Sequence, residues 1–210
     1  MKKLSVLALA MIAATAANAS IYDTPTNAGQ WYWQADLGYS ELDFDFGESN
    51  RTEDGVGGRI SIGKDKGNYR YTFDYSYFGN AEDNDYYRSG TTYIHDQYTL
   101  HAQSIGASAF YDFDNASKLT PYVGARVGVN FLSDELRRCV SSYSYGGEFC
   151  GYSEDNNTDT RVGVGGIVGV SYQATPAVAV NVSGEYNYLG KVGDTKVTQT
   201  GANIGVRMNF

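Results

Sequence analysis

Eight segments of this chain alternate between apolar and polar residues with a period of two, and this pattern constrains the fold more than any other feature. The last segment runs to the final residue: Ala202, Ile204, Val206, Met208 and Phe210 alternate with glycine or polar residues. A period of two is that of a β-strand with two different faces. Beyond the N-terminal segment, no amphipathic helix longer than two turns is apparent. The pattern predicts an all-β protein with eight antiparallel strands.

The connections between these segments alternate in length. Segments two and three, four and five, and six and seven are joined by short stretches, whereas long polar stretches join the other consecutive pairs up to segment six. Short turns at one end and long loops at the other are typical of outer-membrane barrels, whose turns face the periplasm and whose loops face outward. In a soluble β-sandwich, nothing requires short and long connections to alternate in this way. Tyr98 and Leu100 have the opposite parity to Ile105, which predicts a β-bulge near His101 to Gln103.

The two faces of the segments indicate which side contacts lipid. One face is apolar, and the other carries Gly, Ser, Asn and a set of charges. These charges are Asp36, Arg59, Arg70, Asp74, Arg126, Arg161, Glu185 and Arg207. The polar face of a soluble barrel such as a lipocalin would be rich in Lys, yet the strand cations here are Arg and many neighbours are Gly. Because Arg forms forked pairs with carboxylates in crowded places, we predict a transmembrane barrel with a charge network inside.

An eight-stranded barrel is narrow enough for its own side chains to fill it, so the interior charges are predicted to be structural rather than an ion gate. The formal net charge is -8, and removing Lys2 and Lys3 with a signal peptide leaves -10. The stretches 43–54, 80–96, 132–159 and 190–198 carry -4, -3, -4 and +1, which accounts for all of it. The barrel is therefore predicted to be neutral, as burial of charge requires. The acidic loops and the lack of a basic patch argue against nucleic acid as a partner.

The N-terminus has the three parts of a secretory signal. Met1-Lys2-Lys3 is basic, Leu4 to Ala17 is mainly apolar, and Ala17-Asn18-Ala19 fits the small-x-small cleavage rule. We predict a signal peptide over residues 1–19, an N-terminal periplasmic segment over 20–30 and a barrel domain over 31–210. Cys139 and Cys150 lie close together in a chain predicted to leave the reducing cytoplasm, which predicts a disulfide. The disulfide would be either a structural clip on the third loop or part of a rigid binding tip.

His95 and His101 are the two histidines of the chain. Some small outer-membrane barrels modify lipid A with Ser or His, and His101 and Ser104 belong to one strand region. No Ser-His-acid arrangement can be identified, so no enzyme is predicted. Two histidines without a cluster of Cys or carboxylates predict no metal, and no cofactor is expected.

Two stretches carry a family resemblance: SIGASAFYDFDNASKLTPYVGARVGVNF (residues 104–131) and GVSYQATPAVAVNVSGEYNYLGKV (residues 169–192). Their Tyr-Asp-Phe and Pro-Tyr-Val-Gly-x-Arg elements resemble those of the opacity family of bacterial outer-membrane proteins, over about Trp31 to Phe210. More loosely, the chain is similar to small adhesion and serum-resistance barrels and to the OmpA transmembrane domain. The resemblance implies an eight-stranded barrel, export, and extracellular loops that contact host molecules. The name opacity family porin is in use for such proteins.

We therefore expect an outer-membrane surface protein that presents acidic, Tyr-rich loops for adhesion or host-factor binding. A small-solute porin is the alternative, and a lipid A-modifying enzyme is a third hypothesis. The expected partners are outer-membrane lipid and lipopolysaccharide, the outer-membrane assembly machinery, and a host-cell receptor or matrix protein. The terminal Phe210 looks like the C-terminal signal that the assembly machinery reads in such families.

Overall fold

A computed structural model describes residues 29–45, 50–89, 92–113, 117–144, 147–193 and 195–210. For residues 50–51, 80–89, 92–98, 100, 134–144, 147–157 and 192, only the backbone is described. The predicted signal peptide over 1–19 and most of the predicted segment over 20–30 fall outside these ranges. Among the described residues, no helix has the length and apolarity needed to cross a membrane.

Eight antiparallel strands form a closed barrel, in which each strand pairs with its neighbours in sequence and the last pairs with the first. The strands are β1 (Trp31–Asp45), β2 (Asn50–Asp65), β3 (Tyr69–Ser89), β4 (Thr92–Asp112), β5 (Leu119–Ser144), β6 (Gly147–Gln173), β7 (Val178–Val192) and β8 (Thr195–Asn209). At the closure, the Trp31 and Phe210 N–H groups each donate to the other residue's carbonyl, at 3.2 and 2.8 Å. The predicted fold class is confirmed.

Side chains on the outer face form an apolar band. Phe73 is 71 % exposed and Ile204 is 59 % exposed, although both are large and apolar. Near the short turns, Tyr69, Tyr111 and Phe113 pack edge to face, with ring centroids 5.2 and 5.1 Å apart. A continuous apolar surface edged by aromatic rings is the surface that a barrel presents to lipid.

The long connections differ from the sequence-based expectation. The sequence predicts long polar loops at 80–96 and 132–159, but most of their backbone is paired as hairpins. β3 and β4 stay paired to Ser89 and Thr92, and β5 and β6 to Ser144 and Gly147. Alternation does not mark these strand ends, because a strand with water on both sides has no need for an apolar face.

The predicted bulge lies on the opposite strand. Tyr77 pairs with Gln103 and Asn80 with His101, so the extra residue is on β3 rather than on β4. Gly79 adopts φ of 101° there, a conformation that favours glycine. β4 itself pairs with β5 without a register shift. The parity change between Leu100 and Ile105 is therefore not produced by a bulge in β4.

The barrel wall divides in two at the end with the long hairpins. Within the described strands, β2 pairs with β3 only as far as Gly58 and Tyr77, and β6 pairs with β7 only as far as Val164 and Tyr188. Beyond these two points β3, β4, β5 and β6 continue as one four-stranded sheet, which we call the tall sheet. The hairpin ends of β7, β8, β1 and β2 form a second, shorter sheet opposite it.

Candidate functional site

The middle of the barrel interior holds a network of charged side chains. Arg126 donates from Nη2 to Asp74 Oδ1 at 2.6 Å, and Arg59 Nη2 donates to Glu185 Oε2 at 2.5 Å. Arg59 Nε also lies 3.7 Å from Asp74 Oδ1, so the two pairs form one group of four. Ser76 Oγ accepts from Arg59 Nε at 2.8 Å and donates to Asp74 at 2.9 Å. The structure thus brings together four of the eight charges named from the sequence.

A polar chain continues this network toward β8. Gln199 Nε2 lies 3.1 Å from both Glu185 Oε1 and Ser40 Oγ, and its Oε1 accepts from Asn187 Nδ2 at 2.6 Å. All four side chains are nearly inaccessible to solvent. Buried polar groups that bond to one another in this way hold the strands in one register.

A second ion pair lies nearer the short turns. Arg70 makes a forked pair with Asp112, with N–O distances of 2.6 and 2.7 Å. Its guanidinium lies 5.0 and 4.9 Å from the ring centroids of Phe110 and Tyr122, which pack edge to face with each other at 5.8 Å. Asp112 is absent from the charge set named above, although its parity in the fourth segment marked it as inward-facing.

The three remaining charges are not part of these groups. Asp36 is buried and accepts two hydrogen bonds from Gln34 Nε2, at 2.8 and 3.0 Å. Arg207 is buried with its guanidinium 5.6 Å from the centre of the Tyr32 ring, and its Nε and Nη1 have no hydrogen-bond acceptor among the described residues. Arg161 is at the hairpin end, where it pairs with Asp159 at 2.8 Å and its side chain is 39 % exposed.

The charges inside the barrel nearly compensate one another. The buried carboxylates of the described barrel are Asp36, Asp65, Asp74, Asp112 and Glu185, and the buried arginines are Arg70, Arg126 and Arg207. Arg59, whose side chain is 12 % exposed, adds a fourth arginine, so the set carries a net charge of -1. Near-neutrality is what burial of charge requires.

Inward-facing glycines make room for these long side chains. A Cβ on Gly106 would lie 2.5 Å from Arg126 Nη2, and one on Gly205 would collide with Asp36. On the outer face, by contrast, a Cβ on Gly166 would have no neighbour closer than 4.0 Å.

Above the charge network, on the side of the long hairpins, the interior becomes apolar. We call this region the apolar layer. It consists of Leu42, Phe78, Ala102, Leu132, Leu189 and Val197, all at most 3 % exposed. Phe44 packs against it. Three of its residues come from the tall sheet and three from the shorter one, so the layer joins the two sheets where the wall divides. Alternation did not predict it, because Leu42 and Leu132 lie where the polar face was expected to continue or a loop to begin.

The side chains of the apolar layer are at most 3 % exposed, and those of the charge network at most 12 %. Water and ions cross a narrow apolar constriction poorly, because they lose their hydration there. At these two levels the described interior is therefore filled by side chains.

The two residues considered for catalysis face opposite ways. Ser104 is fully buried in the interior, where its Oγ accepts from Arg126 Nη2 at 3.1 Å. His101 has the outward parity of β4, whose odd-numbered neighbour Ile105 is 58 % exposed. The wall of the barrel separates the two side chains, so they cannot act as a nucleophile and its base. Among the residues with described side chains, no group of three His, Cys, Asp or Glu could hold a metal ion.

The remaining predicted sites are only partly described. Phe210 lies at the edge with the short turns and is 68 % exposed on the outer face. Cys139 lies opposite Tyr152 and Cys150 opposite Ser141 in the β5–β6 register. Their side chains, and that of His95, lie outside the described residues, so the disulfide stays a prediction.

Comparison with known proteins identifies relatives of this barrel. The family model described as "Opacity family porin protein" matches residues 62–210. The opacity protein opA51 of Neisseria gonorrhoeae is 32 % identical over 180 residues, which cover 72 % of this chain and 77 % of that protein. An uncharacterized protein of Haemophilus influenzae is 32 % identical over 212 residues and is covered completely, as is this chain.

Solved structures show the same fold. Neisserial surface protein A is 32 % identical, with a TM-score of 0.57 over 86 % of this chain and 97 % of that one. Ail, the attachment invasion locus protein of Yersinia pestis, is 13 % identical, with a TM-score of 0.51 over 85 % of this chain and 99 % of that one. The likeness to Ail concerns the fold alone.

Proposed function

This chain belongs to the opacity family of outer-membrane β-barrel surface proteins, and on that premise we propose that its extracellular hairpins bind host-cell surface or matrix proteins. The end with the short turns then faces the periplasm, and the end with the long hairpins faces outward. The observation that carries the proposal is the tall sheet, which extends beyond the closed barrel. Its sequence is acidic and rich in Tyr, a residue that is enriched in protein interfaces.

The test is binding of the purified, folded protein to host-cell surface and matrix proteins. Variants shortened in the β1–β2, β3–β4 or β5–β6 hairpin are compared with the full-length protein. We expect at least one shortened hairpin to abolish binding while the barrel stays folded. Unchanged binding in all three variants would exclude the hairpins as the binding surface.

Presentation of the hairpins is favoured over transport of solutes. The filled interior and the apolar layer support a protein that does not conduct ions. In planar lipid bilayers we expect no regular current steps from the folded protein. Steady and reproducible openings would instead favour the small-solute porin.

The proposal includes the absence of an enzymatic role. The positions of His101 and Ser104 on opposite faces of β4 argue against a catalytic pair. Lipid A from expressing and deletion strains should have the same mass spectrum. A difference of one acyl chain between the strains would overturn this element of the proposal.

We also propose that Cys139 and Cys150 form a disulfide that restrains the β5–β6 hairpin. In the chain-entropy model, a loop of this size is stabilised by about 3 kcal/mol. Peptide mapping under non-reducing conditions should recover the two cysteines in one linked peptide pair. Recovery of both as free thiols from cells grown in air would contradict this pairing.

A further inference from the structure

Among the described strands, none lies beside one side of β6 at the extracellular end. From Gly147 to Thr160, the described part of the chain pairs β6 with β5 only. The last β6–β7 pair is Val164 with Tyr188, and just beyond it the Arg161 side chain donates to the Lys191 carbonyl at 2.6 Å. Within the described strands, nothing pairs with the other side of β6 above Arg161. This open side is the β6 edge.

An open edge is a template for another strand. In a β-strand, successive residues direct their backbone N–H and C=O groups to alternate sides, so about half of the groups along the β6 edge point away from β5. The edge is roughly 45 Å long at 3.3 Å per residue. Natural proteins usually protect such edges with charged side chains, Lys above all, with Pro, or with a bulge or a covering segment.

The charged residues of the β6 edge are all acidic, which opposes pairing with another acidic strand but not with a basic one. The stretch from Gly147 to Thr160 contains no Lys and no Pro, and its pairing with β5 has no register shift. It contains four carboxylates, Glu148, Glu154, Asp155 and Asp159, and no basic residue. The opposite edge of the tall sheet, on β3, does contain a cation, Arg88.

We propose that the β6 edge binds a basic, extended segment of a partner protein as an added β-strand. This inference rests on the proposed function, since it names the class of partner that the hairpins bind. Main-chain hydrogen bonds supply the affinity in this mode of recognition, and side chains supply the selectivity. Asp159 pairs with Arg161, and Arg137 of β5 is the register partner of Glu154. Residues 133–144 of β5 are nonetheless neutral, because Asp134 and Glu135 balance the two arginines there. The edge therefore keeps a net negative charge, which favours a partner strand with Lys and Arg. A second copy of this chain would bring an equally acidic edge, and like charges on neighbouring strands oppose pairing.

The test uses the full-length protein, folded in lipid nanodiscs, and a defined probe. The probe is an octapeptide of alternating Lys and Val with ¹³C-labelled carbonyls and a fluorophore. The control peptide is methylated at every backbone nitrogen, which keeps the charge but removes the hydrogen-bond donors. We expect saturable binding of the probe, at least tenfold weaker binding of the control, and a shift of the labelled carbonyl band to the β-sheet region.

Two shortened proteins locate the binding edge. In the first, an Asn-Gly turn replaces residues 136–155 between the register partners Glu135 and Asn156. In the second, the same turn replaces residues 83–98 between Glu82 and Thr99, which removes more net negative charge. We expect only the first variant to bind the probe more weakly than the full-length protein does, by at least tenfold. The heat-dependent change in electrophoretic mobility of folded barrels checks that both variants fold.

A charge variant requires no change of chain length. Glu154→Gln with Asp155→Asn should weaken probe binding roughly threefold or more at low salt, and less at high salt. Strand addition at this edge would be overturned if the methylated peptide bound as tightly as the probe. It would also be overturned if the first shortened protein bound the probe as tightly as the full-length protein does. The proposed function is judged separately by host-protein binding. If host proteins bind but the probe does not, strand addition at the β6 edge is overturned and the proposed function stands. If host proteins do not bind, the proposed function is overturned even if the probe binds.

Discussion

Arg126 Nη2 lies 2.6 Å from Asp74 Oδ1 in the middle of the barrel, and the two side chains are 3 % and 0 % exposed. Removing one partner leaves the other charge buried without compensation. We expect Asp74→Asn to lower the free energy of unfolding from lipid vesicles by about 3–5 kcal/mol. The measurement is urea titration of the vesicle-inserted protein.

The exposed pair of Arg161 and Asp159 provides the matched control. Asp159→Asn should change the free energy of unfolding by less than about 1 kcal/mol, because solvent screens this pair. The double variant Asp74→Asn with Arg126→Met should regain some of the loss. Equal effects of the two single substitutions would show that burial of the Asp74 pair has no energetic consequence.

Replacing a glycine by alanine should affect stability differently on the interior face and on the lipid face of the barrel. Gly205→Ala would place a Cβ against the Asp36 carboxylate and 2.7 Å from the Ala35 carbonyl oxygen. Because the backbone atom cannot move aside easily, we expect a loss of about 1–3 kcal/mol in the same titration. Gly166→Ala on the lipid face has open space and should be neutral or slightly stabilising. A neutral Gly205→Ala would contradict the crowding described for the interior.

The apolar layer should behave as a packed core. Leu132 is 3 % exposed inside the barrel, whereas Leu37 is 67 % exposed on the lipid face. Leu132→Ala should cost about 2–5 kcal/mol, since it leaves a cavity between the two sheets. Lipid fills the space left by Leu37→Ala, so that variant should lose only the transfer contribution. Equal losses for the two leucines would mean that the layer is loosely packed or hydrated.

The C-terminal residue should matter for assembly. Phe210→Ala keeps the backbone hydrogen bonds to Trp31 but loses the exposed ring, and deletion of Phe210 loses both. If the ring is the assembly signal, both variants should be exported normally and both should be depleted at the cell surface. Surface labelling and the fraction retained in the periplasm measure the two steps. Normal surface levels of the deletion variant would refute the assignment.

Alternation alone predicted the closed region of the barrel well. It identified eight strands and their two faces, because each strand there has a face in contact with lipid and a face toward a polar interior. It could not predict that Asp74 pairs with Arg126, since the two residues are 52 positions apart and on strands that are not adjacent. Pairing across a barrel depends on strand stagger, which no local pattern specifies.

The hairpin end was predicted less well for a different reason. Leu42 and Leu132 belong to the apolar layer although their parity is that of the polar face. A change from polar to apolar on the same face cannot be distinguished from the end of a strand when only the sequence is read. The pairing of β3 to β6 beyond the membrane was equally hidden, because polar residues there occupy both faces.

The paired hairpins also bear on how such a surface can change in evolution. Because β5 and β6 remain in register to Ser144 and Gly147, adding or removing one residue on each strand near the tip keeps the pairing but reverses the faces of the residues beyond it. Adding or removing two residues on each strand keeps every side chain on its original side. Variants of this hairpin should therefore tolerate length changes in steps of two residues per strand, while the lipid-embedded wall remains unaltered.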